Sequence, residues 1–396
     1  MLSQTFIEEA MDMVDHLTDW RRDFHRHPEL GLDCHRTAGK VVEHLRVLGW
    51  EVSQGWARTG VSAVLRPTGG GAVPAVGLRV DMDALPIQEA TGAPYASATP
   101  GAAHACGHDG HVAIGLGVAE ILSRHRTHLL SPVKLIFQPG EEHPGGAKLM
   151  IQQGVLLDPP VGAMLGFHLY PELPNEHFGV RYGVMTAGST DFTVLLRGKS
   201  GHAAYPHLAV DPVPALASFV DAVLALNSRS HNPLTPLVIT FGRISGGSAP
   251  NVVPGEMRLE GTMRALSDDV MAFALRRMRE ILAGLRFSHG VEGELTEGEN
   301  EPPLVCDERI TAFAEEHLAE MWGAGRVRRL AEPSMGSEDF SRFAQAVPST
   351  YVRIGTRDED KGFVHPLHHP AFDFDEGVLP LAAASLSYLL LTWTGR

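Results

Sequence analysis

Val133-Lys134-Leu135-Ile136-Phe137-Gln138-Pro139-Gly140-Glu141-Glu142 is an apolar run interrupted by one lysine, stopped by Pro-Gly and closed by two carboxylates. A run of that length ahead of a Pro-Gly breaker reads as a buried strand. A glycine-rich helix start at Gly145-Gly146 and a short strand at Ala163 to Phe167 follow it. Upstream, Val61 to Leu65 and Ala75 to Val80 read as strands, while Arg36 to Leu48 and Val112 to Leu122 place apolar residues at helical intervals. This alternation implies an α/β fold, a mixed sheet covered by helices on both faces. Ligands of such sheets gather beyond the carboxyl ends of the strands. Asp81 and Asp83, Glu141 and Glu142, and His168 each follow a strand and fall there.

From about Thr186 the order changes to strand, helix, strand, strand, helix, strand: Asp191 to Leu196, Pro212 to Asn227, Leu237 to Ile244, Met257 to Arg264, Asp268 to Leu285 and Gly290 to Glu297. That is the ferredoxin-like α+β order. Beyond residue 300 the first style returns, with helices at Glu308 to Trp322 and Val378 to Leu391 and a strand at Ser349 to Ile354. The expected division is 1–185 with 300–396 as one domain and 186–299 inserted into it. A chain of 396 residues agrees with two cores. The formal charge of −14 argues against a nucleic-acid partner, which calls for a basic stripe. No segment is apolar enough for a membrane partner, and the N-terminus lacks the basic and apolar regions of a signal peptide, so a cytoplasmic location is expected. Three scattered cysteines, Cys34, Cys106 and Cys306, do not make a disulfide framework.

His104-Ala105-Cys106-Gly107-His108-Asp109-Gly110-His111 gathers a thiol, three imidazoles and a carboxylate in eight positions. Cys106 and His108 share a side only on extended backbone, which predicts a loop. Thiolate and imidazole suit zinc, and nearby carboxylates also admit manganese or cobalt. Cys-x-His alone matches by chance, so the rest of the chain decides. Glu141-Glu142 alone would read as solvated surface, and His168 alone as a satisfied core histidine. Behind buried strands they become candidates. Adjacent side chains are expected to diverge, one carboxylate binding metal while the other faces water.

HACGHDGH, FQPGEE (137–142), GFHLYP (166–171), SGHAAYPH (200–207), APNVVPGE (249–256), MGSEDFS (335–341) and LHHPAFDFDE (367–376) occur in this order. Together they resemble the dinuclear metal amidohydrolases that include hippurate hydrolases, bacterial N-acyl-amino-acid amidohydrolases and plant auxin-conjugate hydrolases. The resemblance implies two divalent metals, zinc first, with manganese, cobalt or nickel as alternatives. It implies Cys106, His108, Glu142, His168 and His368 as ligands, Glu141 as general base and Asp83 as the aspartate that orients a ligand. His368 is chosen over His369 because the family ligand stands two residues before a proline, here Pro370. His202 in Ser200-Gly201-His202 would polarise the scissile carbonyl, from its own or the opposite subunit. Asn251 and Arg264 would bind substrate, Arg264 gripping a carboxylate. The inserted domain would serve as a lid and dimerisation element, in a homodimer or homotetramer. Two positions depart from the wider pattern: Asp81 stands where many related peptidases have a metal-binding histidine, and Gly140 where alanine is commoner, a change expected to leave the carboxylates in place.

The function implied is hydrolysis of a small N-acyl or N-aroyl amino acid to a carboxylate and a free amino acid. The same chemistry would also serve a metallo-dipeptidase or carboxypeptidase. A hydrolase using Cys106 as nucleophile, and a non-catalytic metal-binding relative, are the alternatives of a different kind.

Overall fold

In the computed structural model, which describes residues 2–69, 74–143 and 145–394, Val133–Gln138 is a strand with every residue buried. Its lysine is accommodated because Lys134 Nζ donates to the carbonyls of Val155 (2.7 Å) and Pro159 (3.2 Å), and burial pushes its pKa down to about 8. The strand lies third in an eight-stranded sheet of order Glu51–Trp56, Gly60–Leu65, Val133–Gln138, Ala75–Asp81, Val161–Pro174, Ser349–Arg357, Phe178–Val180, Val327–Arg329. Pairing is parallel through the four strands from Val133–Gln138 to Ser349–Arg357 and antiparallel at Gly60–Leu65, so the sheet is mixed. Helices His35–Val47, His108–Arg124, Gly146–Gln152, Glu308–Trp322 and Val378–Thr392 pack on its strands.

Two of these helices are buried nearly all round: Val378–Thr392, which is almost wholly apolar and exposes almost nothing, and His108–Arg124, which is buried without a break from His108 to Ala119. A glycine allows this close approach: a Cβ on Gly115 would meet Val80 Cγ2 and Phe137 Cε1 at 2.9 Å. The helix that begins with the metal motif is thereby pressed onto the two strands that end at Asp81 and Gln138.

The chain divides into two compact units, residues 1–185, 305–332 and 342–396 in the first and 186–304 and 333–341 in the second. The segment Pro333–Ser341 thus joins the second unit, where the sequence pattern had assigned everything beyond 300 to the first. The second unit is a four-stranded antiparallel sheet, ordered Leu237–Gly246, Glu256–Ala265, Gly188–Arg197, Glu292–Glu301, with helices Pro212–Arg229 and Asp268–His289. In chain order that is 2-3-1-4, the ferredoxin-like arrangement. Each unit has its own apolar cluster, around Leu78, Val112 and Leu386 in the first and around Val194, Phe219 and Met278 in the second. Among the described residues, no helix is long and apolar enough to cross a membrane.

Candidate metal centre

The motif at 104–111 is only half a loop. Gly107, at φ 85°, turns the chain, and His108 is the first residue of the helix that runs to Arg124. The loop reading stopped short because a left-handed glycine lets a helix start immediately after Cys106. His168 also differs from expectation. It sits within Val161–Pro174 rather than at a strand end, because Ser349–Arg357 continues to pair alongside as far as Pro174. The ladder to Ala75–Asp81 ends at Leu165, so on that side His168 faces the loops beyond the neighbouring strand.

Four elements bring the candidate ligands together. One atom each from Cys106, His108 and His168 lie within 4.8 Å of one another, as do one each from Cys106, Glu142 and His368, and one each from His108, Glu141 and Glu142. Cys106 Sγ is 3.4 Å from His168 Nε2, and His368 Nε2 is 3.3 Å from Glu142 Oε1. His368 takes a left-handed φ of 65°, and its N–H bonds to the Ala105 carbonyl at 2.8 Å, which fixes it beside the motif. Its neighbour His369 instead stacks on His365 and accepts from the Ala371 N–H. Glu141 and Glu142 occupy a turn, and one carboxylate oxygen of each lies within 4.8 Å of a His108 ring nitrogen.

The imidazoles are set by backbone. His108 Nδ1 donates to the Asp83 carbonyl (2.8 Å) and His168 Nδ1 to the Leu169 carbonyl (2.6 Å), so in each ring Nε2 keeps its lone pair. His108 Nε2 is buried without a hydrogen-bond partner, and the Asp81 carboxylate stands 3.5 Å from it. A lone pair sealed from water is costly unless something accepts it, and a cation would. His111 has no such vacancy, because Nδ1 meets Asp81 and Nε2 accepts the Leu169 N–H at 3.0 Å. Burial pushes the Cys106 thiol well above its ordinary value, and Glu142 and Glu141 push it further. A nucleophilic cysteine needs the reverse. A thiol, two imidazoles and carboxylates around an unpartnered nitrogen fit divalent metal.

Asp83 acts through two different groups. Its carbonyl orients His108, while its carboxylate accepts the N–H of Glu141 (2.9 Å) and of Glu142 (3.1 Å). Burial raises that carboxyl to about 7. Asp81 is buried too, yet Arg79, His108 and His111 hold it well below the usual carboxylate range. Gly140 has a left-handed φ of 71°, which favours glycine, and a Cβ there would stand 2.6 Å from Leu32 Cδ2, so a side chain would strain the turn and shift that leucine.

The other candidates lie in the second unit. His202 is exposed, its two-residue strand pairs with Val252–Val253, and its Nδ1 accepts the Ala204 N–H at 3.0 Å, which places the ring proton on Nε2. Asn251 is exposed, and its carbonyl accepts the Ala203 N–H, tying the two loops together. Arg264 is half-buried, and its Nη1 donates to Ser337 Oγ (3.1 Å) and the Met335 carbonyl (3.4 Å). The MGSEDFS stretch is therefore an anchor for Arg264.

Residues 77–392 match Peptidase family M20/M25/M40. The chain belongs to that family. The Bacillus subtilis YXEP protein, a dinuclear metal binding peptidase of the M20 family, is 31% identical with a TM-score of 0.83, over 96% of this chain and 98% of that one. Thermostable carboxypeptidase 1 of Saccharolobus solfataricus is 34% identical, over 98% of this chain and 99% of its own. N-acetylcysteine deacetylase of Bacillus subtilis is 33% identical, over 95% and 97%.

In this M20 chain the sequence reading missed a buried ionic cluster directly behind the metal motif. Asp109, the residue after His108, accepts from Arg21 Nε (2.7 Å) and faces His25 Nδ1 (2.8 Å). Arg21 also reaches Asp373 and Glu376, and His25 Nε2 faces Glu89 at 3.1 Å. The available signal was Arg21 and His25 four apart on a helical stretch, one turn above each other. Arg79 was signalled likewise, as a lone charge inside an otherwise apolar strand.

Proposed function

We propose that this M20 chain is a dinuclear metal-dependent amidohydrolase that cleaves the amide bond of N-acyl amino acids to a carboxylate and a free amino acid. The observation that carries the reading is the overlapping clusters of Cys106, His108, Glu142, His168 and His368, with Glu141 alongside and His108 Nε2 buried without a hydrogen bond. Those five residues would hold two divalent ions, zinc first, and the ions would supply Lewis acidity toward the scissile carbonyl and the attacking water. Glu141 takes the proton of that water on a carboxylate oxygen and returns it to the departing nitrogen. Asp83 keeps Glu141 and Glu142 in place through their backbone N–H groups. His202, with its proton on Nε2, donates to the carbonyl oxygen as negative charge develops there. Arg264 and Asn251 recognise the free carboxylate of the substrate, with Arg264 held at the ready by Ser337. We place the enzyme in the cytoplasm as a homodimer or homotetramer built through the second unit.

A carboxypeptidase reading is favoured by the similarity to thermostable carboxypeptidase 1. It separates from the first by whether a free α-amine on the acyl side is tolerated. Glu141→Gln tests the mechanism common to both: metal content stays near normal while kcat falls by at least about two orders of magnitude. Near-normal turnover in this variant removes Glu141 from the mechanism.

A further inference from the structure

Arg79 and Asp81 stand two positions apart on the buried strand Ala75–Asp81, so their side chains share a face, and Gln138 lies directly across from Asp81 on the neighbouring parallel strand. Arg79 is buried and turns its guanidinium into this group: Nη1 donates to Asp81 Oδ2, and Nε to Gln138 Oε1 at 3.0 Å. The other carboxylate oxygen is held by His111. That ring accepts the Leu169 N–H on Nε2, so its proton is on Nδ1 and is donated to Asp81 Oδ1. Both oxygens of Asp81 are thus engaged by donors of the protein.

Asp81 nevertheless stands at ligand distance. Its Oδ2 is 3.5 Å from His108 Nε2, and two atoms bound to one zinc ion at ordinary bond lengths sit roughly 3.4 Å apart. Asp81, His108 and His111 each bring one atom within 4.8 Å of the others. What sets Asp81 apart from the ligand cluster is therefore its hydrogen bonding to Arg79 and His111, not its separation from His108 Nε2. A buried ion pair adds little net stability over a well-packed apolar pair, so stability alone does not account for an arginine inside this strand. On the dinuclear reading above, we propose that Arg79 is a positioning residue: by holding Asp81 Oδ2 it keeps a hard carboxylate off the ion at His108, and the remaining thiol- and imidazole-containing donor set favours zinc over manganese.

Zinc and manganese binding constants, each measured by dialysing the whole protein against chelator-buffered metal and analysing the bound ion, test this. Arg79→Met removes the guanidinium. Loss of its charge tightens both dications alike, whereas an added carboxylate ligand tightens manganese more, so the ratio of manganese to zinc binding constants separates the two effects. That ratio rises by at least about tenfold in Arg79→Met and returns to the wild-type value in the Arg79→Met, Asp81→Asn double variant, which has no carboxylate to release. Arg79→Lys keeps the charge without the forked grip and gives a smaller rise; it stands in should Arg79→Met lack a cooperative melting transition. An unchanged ratio in the folded variants, or a raised ratio that persists in the double variant, would overturn the assignment. A changed ratio in Asp81→Asn alone would show that Asp81 already binds the ion, and would overturn it equally. Wild-type protein that binds neither ion would sink the dinuclear reading itself, which keeps the two failures apart.

Discussion

His108 and His168 each have one ring nitrogen committed to a carbonyl, of Asp83 and of Leu169, which leaves Nε2 as the atom that would coordinate a metal in both. Among the proposed ligands, Cys106 is the one whose charge would depend most on a cation, since burial and two glutamates disfavour its thiolate. Cys106→Ser therefore strips metal: an alcohol is a harder and far less acidic donor, so zinc occupancy and activity fall together in elemental analysis and turnover assays. A variant that keeps two metals yet is inactive would point to Cys106 as nucleophile. At this scale the residue types were legible, because thiol, imidazole and carboxylate at close spacing have few other uses. That both His111 nitrogens are satisfied was not legible, because Asp81 lies thirty positions away in sequence and becomes its partner only when the helix His108–Arg124 docks.

Among the elements, that helix and its ionic backing carry the most consequence. Asp109 in its first turn is stabilised by the helix dipole and by two cations from the N-terminal helix Val14–Arg26. Burial works against a charge on His25, yet Asp109 and Glu89 raise its pKa from 6.5 to about 9. The raised value means that its stabilisation is complete below pH 6.5 and is lost as pH climbs through 9. A rise of that size corresponds to on the order of 3 kcal/mol. Wild type should therefore lose melting temperature between pH 6.5 and 9 relative to His25→Gln, which is less stable at pH 6 but lacks this slope. Parallel curves for the two proteins would remove His25 from the account. Strand and helix positions around this cluster were readable from apolar spacing. Strand Val161–Pro174 was not, since its second half persists through pairing with Ser349–Arg357, a partner that local pattern cannot reveal.

For the whole molecule, the ferredoxin-like order of the second unit was written in its alternation of periods, and the sheet returned the 2-3-1-4 order that goes with it. The return of Pro333–Ser341 to that unit was hidden, because what binds it is Arg264 reaching Ser337 rather than any hydrophobic period. The functional split between the units predicts complementation. His202→Ala lowers kcat far more than it raises KM and leaves metal content alone, as for a donor to charge present only in the transition state. Should His202 serve the partner chain, mixing His202→Ala with Glu141→Gln protein restores part of the activity through hybrid dimers; no recovery despite proven subunit exchange assigns His202 to its own chain or to no role. The central claim, that two metal ions bound at the Cys106, His108, Glu142, His168 and His368 cluster drive amide hydrolysis, is tested most directly by titrating zinc into metal-free protein while measuring glycine release from N-benzoylglycine. The account predicts negligible release without metal and a plateau at two ions per chain; full turnover by the metal-free protein would contradict it.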